Sequence, residues 1–450
     1  ERRLRRRPHE WRYEVNGYRD LRVALLGCGS VGAQVARLIL EHGDELAARA
    51  GARLTLAGIA VRNLDSPRDV VLPPELFTTD AERLVQGADI VIELMGGIEP
   101  AKSLILQALQ GGADVVTANK ALIAAHGPEL AEAAEQVGAQ LSYEAAVAAA
   151  IPILRPLRES LAGDHITRVL GIVNGSTNYI LDRMDRFGDS AEDAMRLASD
   201  LGYLEADPTL DVEGYDAAQK ATILASIAFH TEVPVDAVYR EGITKITAAQ
   251  IDAAKHAGYV IKLLAIAERI TSADGTDGVS ARVYPALIGR DHPLAVVYGG
   301  KNAVFVEAEA AGELMFYGAG AGGAETASAV LGDLVSAARR HVVGGPGIPG
   351  SLHAELPILP VSEVSTAYQV MLEVHDEPGV LAGVAGILAD HGVSAASVEQ
   401  SVEPGATGRA TLVIGTHIAR EGDLAATVDA LRQSDMVVDV TSILRLEGQA

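Results

Sequence analysis

The sequence predicts an α/β protein: a doubly wound, Rossmann-type parallel sheet, then an α+β domain, then a small ferredoxin-like module. Three observations carry this. Apolar strand-like runs alternate with helical stretches over residues 21–150, the pattern of a parallel sheet covered on both faces. Beyond residue 151 the connections lengthen, and extended segments such as 166–172 and 278–285 replace the alternation. A tract rich in glycine and proline follows, GGPGIPG at 344–350 with Pro357 and Pro360. After it, strand and helix patterns run in the order βαββαβ over 367–447.

In chain order, residues 1–20 form a basic arm with seven arginines and no apolar stretch, so they lack the core of a secretory signal and receive no function. LRVALL at 21–26 is a strand ending at Gly27, and 31–46 continues as a helix. Strands at 54–61, 88–94, 113–117 and 139–143 alternate with helices such as 100–110 and 127–137. These make a first domain, 21–150, which the glycine loop GAGAGG at 318–323 and a helix at 326–340 complete (together 318–340). Residues 151–317 are a second domain of α+β character, 341–366 a linker, and 367–447 the terminal module. In that module strands at 367–374, 394–399, 410–417 and 436–446 enclose helices at 380–391 and 423–433, with a DEPG turn at 376–379.

Length and composition bound the function. A chain of 450 residues is too long for one core. With 48% hydrophobic residues but five Phe and one Trp, the interior must be built from Ala, Val, Leu and Ile. No apolar run reaches the roughly 18 residues that cross a bilayer, so no membrane partner is expected. The net charge of −23 argues against nucleic acid, whose phosphates need a basic face. A single cysteine, Cys28, excludes an intramolecular disulfide and fits a reducing cytoplasm.

Gly27, Cys28, Gly29, Ser30, Val31 and Gly32 match G-x-G-x-x-G directly after a strand and at the opening of a helix. Glycines there allow a tight turn and close backbone approach, and the helix N-terminus offers free N–H groups to a pyrophosphate. This reads as a dinucleotide site. At the end of the second strand an acid would accept from a ribose 2′-hydroxyl, whereas arginine accommodates a 2′-phosphate. The chain reads Ile59-Ala60-Val61-Arg62-Asn63, with Arg68 close behind, which favours NADP; Asp65 keeps NAD open.

The densest chemistry lies in LGYLEADPTLDVEGYDAAQK at 201–220. Residues 206–213 read as a loop, and Tyr215 onward as a helix apolar nearly all round. Asp216 and Lys220, four apart, share a face of that helix. An acid and lysine at this spacing are usually a solvated surface pair, but an apolar helix cannot face solvent. Glu205 and Asp211 come from the segment in front, so carboxylates able to hold an ammonium stand beside an amine able to move a proton. Lys120, after the strand at 113–117, is a second candidate at the carboxyl edge of the sheet, where open α/β sheets bind ligands. Beside a nicotinamide cofactor these groups suggest hydride transfer at the carbonyl of an amino acid.

The 201–220 segment, GIVNGSTNYIL at 171–181 and ANKAL at 118–122 closely resemble homoserine dehydrogenase, from about residue 21 to about 340. The terminal module resembles an ACT domain. The resemblance implies reversible reduction of L-aspartate 4-semialdehyde to L-homoserine, in threonine and methionine biosynthesis. It implies Lys220 as proton donor and Lys120 between cofactor and substrate. It gives Glu205 and Asp216 to the substrate, with Tyr203, Asp211, Gly175 and Ser176 lining the pocket, and Gly320 to the nicotinamide end. Some members bind a monovalent cation, Na+ or K+, and Glu144, Val147, Ala149 and Ile151 match its ligands, although Ala148 to Ala150 replace the usual glycines. ACT domains pair and take amino acids near the turn holding Asp376 and Gly379. This implies a homodimer or homotetramer with threonine as effector, and a module that could be cut away after about residue 341 without loss of chemistry. Two alternatives remain at this level. One is another amino-acid-pathway dehydrogenase of the same plan; the other is a non-catalytic sensor, which the absence of a basic helix-turn-helix disfavours.

Overall fold

The computed structural model describes residues 18–204, 207–344, 352–402 and 408–448, and the chain divides into two compact units. The first holds residues 18–146 and 322–344. Its six strands are β1 (Arg19–Leu26), β2 (Ala52–Ala60), β3 (Phe77–Thr78), β4 (Ile90–Glu93), β5 (Asp114–Thr117) and β6 (Leu141–Ser142). They pair in parallel in the order β3-β2-β1-β4-β5-β6. β4 and β5 are buried along their whole length, as central parallel strands are when helices cover both faces. The helix Gly323–Val343 returns from late in the chain to this unit, where Ala327, Val330, Leu334, Ala337 and Ala338 join the core beside Val35 and Ile39 of the first helix, Ser30–Glu41. Arg340 pins it, donating to the buried Asp114 and to the Gly138 carbonyl.

Two helix boundaries differ from expectation. The single helix at 31–46 is two, Ser30–Glu41 and Gly43–Ala50, broken at His42. The helix expected at 127–137 begins at Lys120, where the Asn119 side chain accepts from the Leu122 N–H, and it carries Pro128 inside.

The second unit, residues 147–321 and 352–448, has β7 (Ile166–Ile172), β8 (Tyr239–Arg240), β9 (Tyr259–Thr271), β10 (Asp277–Gly289), β11 (Lys301–Ala308) and β12 (Gly312–Ala319). The terminal βαββαβ module adds β13 (Ser365–His375), β14 (Ala395–Ser401), β15 (Arg409–Thr416), β16 (Ala419–Arg420) and β17 (Val437–Glu447). Helices Val380–Asp390 and Glu421–Arg432 cover one core of Tyr368, Leu372, Val384, Leu412, Leu424 and Leu431.

The module is not a tethered appendage. One continuous sheet runs β12-β11-β7-β9-β10-β17-β13-β15-β14, with β17 parallel to β10 through Ala286–Arg445, Leu287–Leu446 and Ile288–Glu447. The stretch before β13, expected as linker, is pinned too. Val279 donates to the Pro357 carbonyl at 2.9 Å and accepts from the Leu359 N–H at 2.8 Å, and Ala354 donates to His230 at 2.8 Å.

Buried charges seal the junction. Arg282, 1% exposed, donates to Glu268 at 2.6 Å and to the Tyr284 hydroxyl at 2.9 Å, and Tyr284 donates to Glu447. Arg168 reaches the same Glu447. Removing one partner from such a set strands a charge at about 3–5 kcal/mol. Truncation after residue 341 takes away Glu447 and the strand partner of Ala286, Leu287 and Ile288 on β10 along with the module.

Candidate active site

The helix Tyr215–Phe229 packs on β9 and β10 and is buried on nearly every side, as its apolar sequence requires. Asp216 and Lys220 lie one turn apart on it, each 8% exposed, which rules out the surface-pair reading. Lys220 Nζ donates to Asp216 Oδ2 at 2.7 Å and to the Val173 carbonyl at 2.6 Å. Two of the ammonium's three donors are thus used, and the head group is held from two directions.

A residue that the sequence reading missed sits at the centre. The Asn174 side-chain amide donates to Asp211 Oδ1 at 2.6 Å and Asp216 Oδ2 at 2.8 Å. Its oxygen caps the helix Gly175–Phe187 by accepting from the Thr177 N–H at 2.9 Å. The signal was present in GIVNGSTNYIL, since asparagine before a helix start is a preferred cap. Nothing local revealed that the other half of the amide would gather two aspartates.

Gly175 and Ser176 open the same helix. A Cβ on Gly175 would stand 2.7 Å from the Gly300 carbonyl, so only glycine lets that loop close down. Ser176 Oγ donates to the Tyr203 carbonyl at 2.6 Å, and the Tyr203 ring packs on Tyr179, centroids 5.1 Å apart. Asp216, Lys220, Asp211, Gly175, Ser176 and Tyr203 are therefore gathered by three adjoining segments. Glu205 lies outside the described residues.

Below these, Lys262 on β9 is 1% exposed and donates to Asn178 Oδ1 at 3.0 Å and the Val297 carbonyl at 2.7 Å. Burial pulls its pKa down to about 8, against the pull of Asp182 and Asp185. Asn178 in turn donates to the Gly299 carbonyl at 2.8 Å, so the lysine stabilises the loop that carries Gly300.

In the first unit the glycine loop follows β1. Gly27 has φ +98°, and a Cβ there would meet the Leu94 carbonyl at 2.7 Å; one on Gly32 would meet the Gly27 carbonyl at 2.3 Å. Gly29 has open space in front of it. Tight packing behind and room ahead are what a backbone cradle for a pyrophosphate needs. A cavity of about 280 Å³ opens there, lined by Cys28, Gly29, Ser30, Gln34, Arg68 and Gly323 among others.

Arg62 is exposed beyond the end of β2, while Arg68 borders the cavity and bonds the carbonyls of Asn63, Leu64 and Ser66. Burial pushes the Cys28 thiol above its ordinary range, outweighing the nearby Arg68. At the carboxyl edge of the sheet the buried Glu93 accepts from the Met95 N–H at 2.7 Å and Thr117 Oγ1 at 2.7 Å, and Lys120 opens its helix after β5.

The remaining expected sites fall as follows. Gly320 belongs to the second unit, and a Cβ on it would overlap the buried Asn302 amide. Glu144 is buried and its N–H donates to Asp333 at 2.8 Å. Val147, Ala149 and Ile151 are buried, and Ala148 and Ala149 hold φ of 57° and 47°, left-handed values natural to the glycines they replace. Among the described residues no group of three His, Cys, Asp or Glu could hold a metal, and no helix is long and apolar enough to cross a membrane. Gly379, at φ +98°, begins the helix Val380–Asp390 beside the exposed Asp376.

A parallel sheet with a glycine cradle at its carboxyl edge in one unit, and a buried lysine–carboxylate cluster with a βαββαβ module in the other, define a nicotinamide-dependent oxidoreductase with an ACT module. The profile for homoserine dehydrogenase matches residues 152–335, that for the homoserine dehydrogenase NAD binding domain 27–144, and that for the ACT domain 368–435. A homoserine dehydrogenase of Mycobacterium tuberculosis is 56% identical over 431 residues, covering 95% of this chain and 97% of that protein. One of Corynebacterium glutamicum is 53% identical over 427 residues, covering 94% and 95%. The crystal structure of a homoserine dehydrogenase from Thiobacillus denitrificans matches with TM-score 0.88 at 38% identity, covering 96% of this chain and 99% of that one. A hyperthermophilic archaeal homoserine dehydrogenase in complex with NADPH matches with TM-score 0.59 at 28% identity, covering 73% and 99%. The chain belongs to the homoserine dehydrogenase family, and its activity is the nicotinamide-dependent interconversion of L-homoserine and L-aspartate 4-semialdehyde.

Proposed function

We propose that this homoserine dehydrogenase prefers NADP over NAD and that Lys220 donates the proton to the aldehyde oxygen. The observation that carries the second part is the buried lysine held between Asp216 and the Val173 carbonyl. Bound, the reduced nicotinamide supplies hydride to the aldehyde carbon. As the carbonyl π bond opens, its electron pair moves onto oxygen, and Lys220 passes a proton to that oxygen to give the hydroxyl of homoserine. In reverse, the neutral lysine removes it. Asp216 and Asp211, with Glu205, hold the substrate ammonium; Tyr203, Gly175 and Ser176 line the pocket, and Lys120 lies between cofactor and substrate.

Gly27, Cys28, Gly29, Ser30, Val31 and Gly32 would hold the pyrophosphate, and Gly320 the nicotinamide end. NADP is favoured because β2 ends at Ala60 and runs into Val61-Arg62, the nearest acid that could receive a ribose 2′-hydroxyl being Asp65. The left-handed Ala148 and Ala149 support carbonyl ligation of Na+ or K+ by Val147, Ala149 and Ile151 with Glu144. Threonine is the proposed effector at Asp376 and Gly379, the active species a homodimer or homotetramer, and the compartment the cytoplasm.

Initial rates with L-aspartate 4-semialdehyde and either NADPH or NADH test the cofactor, with kcat/KM expected to be higher for NADPH. Equal or reversed values overturn the preference. Lys220→Ala should lower kcat by roughly 10²–10⁴-fold with little change in NADP affinity. A variant that keeps its kcat would move the proton-donor role to Lys120.

A further inference from the structure

Arg445, on β17 of the ACT module, is 7% exposed and its guanidinium lies between a module carboxylate and one outside the module. Its guanidinium donates to Glu421 at 2.7 Å, and Tyr368 donates to that same oxygen at 2.6 Å, so one side is anchored within the module. The other side pairs with Glu241 at 2.9 Å. Glu241 is outside the module, and its backbone N–H donates to the Val283 carbonyl of β10 at 2.7 Å.

The segment bearing Glu241 lies directly on the start of the Tyr215–Phe229 helix. Arg240 donates to the Glu213 carbonyl and stacks over the Tyr215 ring at 3.5 Å. Ile243 donates to the Val212 carbonyl at 2.8 Å, and Thr244 to the Glu213 carboxylate at 2.9 Å. A Cβ on Gly242 would fall 2.2 Å from the Val212 carbonyl, so the two backbones touch. Asp216 is the next residue after Tyr215.

We propose that Arg445 is a positioning residue for Asp216 and Lys220, acting through Glu241 and the 239–244 segment on the start of the catalytic helix. The inference rests on the reading of Lys220 as proton donor. It makes the ACT module part of what holds the catalytic pair in place, and it gives an occupied module a physical route to the chemistry. Motion of β17 by a fraction of an ångström would be carried by an ion pair and close-packed backbone rather than by a flexible tether.

Full-length Glu241→Gln, Arg445→Met and Arg445→Lys, with thermal unfolding measured alongside steady-state kinetics, test it. Glu241→Gln should lower kcat about three- to tenfold while KM for NADP stays within about twofold. Arg445→Met should lose at least as much, and Arg445→Lys should recover part of it. In a Lys220→Ala background, Glu241→Gln should cause no further loss in kcat, since the group it positions is gone. Because the Glu241 side chain is 39% exposed, that variant decides the matter if Arg445→Met does not fold. Wild-type kcat in Glu241→Gln beside a crippled Lys220→Ala overturns the link alone, as does a full additional loss in the double variant. Wild-type kcat in Lys220→Ala overturns the proton-donor reading instead.

Discussion

At the scale of single residues, the proposed catalytic pair, Asp216 and Lys220, can be tested apart from its support. Asn174→Asp keeps an oxygen able to cap the Gly175–Phe187 helix, but it donates to neither aspartate and sets a third carboxylate beside Asp211 and Asp216. We expect kcat/KM for homoserine to fall about tenfold or more in steady-state assays. If capping were the residue's whole purpose, activity would survive. Lys262 gives a pH signature. Its folded pKa of about 8 lies below the ordinary value of 10.5, so over that window the unfolded chain binds the extra proton and folding gains stability as pH rises. Denaturant unfolding of wild type and Lys262→Met should show the wild type gaining relative to the variant between about pH 8 and 10.5, by on the order of 3 kcal/mol. A constant difference across that range would mean the buried ammonium is not destabilised. Asp216 and Lys220 were legible in the sequence, because a charged pair at helical spacing inside an apolar helix has no bland explanation. Asn174 and Lys262 were not, since a capping amide and a lysine within a strand look ordinary until their partners, far off in sequence, are placed beside them.

At the scale of elements, the glycine loop was read directly from the sequence because strand, loop and helix are contiguous there. Gly32→Val puts a side chain where even a Cβ meets the Gly27 carbonyl at 2.3 Å, so the loop must shift. We expect NADPH affinity, followed by fluorescence titration, to fall at least about tenfold while the second unit keeps its own unfolding transition. Unchanged affinity would place the pyrophosphate elsewhere. The helices and strands of the terminal module fell within two residues of their expected bounds, since each pattern there is short, regular and closed by a turn. β9 did not announce itself. YVIKLLAIAERIT is buried over most of its length on both faces, so the alternation that marks a half-buried strand is missing. β3, at two residues, is too short for any period to register.

At the scale of the whole chain, Gly379 is where the proposed threonine effector can be tested. Nothing lies within 4 Å of a Cβ at that position, so aspartate there crowds no neighbour, but φ is +98°. The effect of Gly379→Asp should therefore come from backbone strain at the start of the Val380–Asp390 helix, of order 1–2 kcal/mol. Threonine titrations of activity should give a higher half-inhibitory concentration for Gly379→Asp with uninhibited kcat near wild type, and an unchanged titration would exclude the DEPG turn from effector binding. What the sequence hid at this scale was the junction. A parallel pairing between residues 286–288 and 445–447 leaves no local pattern, and glycine and proline near 344–350 argued for a flexible tether that the pinned segment from Ala354 to Leu359 is not.

That junction bears on how the protein is made. β10 is complete by residue 289, but the strand that covers its edge begins only at Val437. A ribosome therefore leaves Ala286, Leu287 and Ile288 of β10 without their strand partners for the time it takes to synthesise everything between, with the buried Arg282 still lacking Glu447. Such late, long-range closure slows folding and invites association through open strand edges. β10 thus gains its β17 partner only after the rest of the terminal module has been made, and chains that stop before Val437 are left without it.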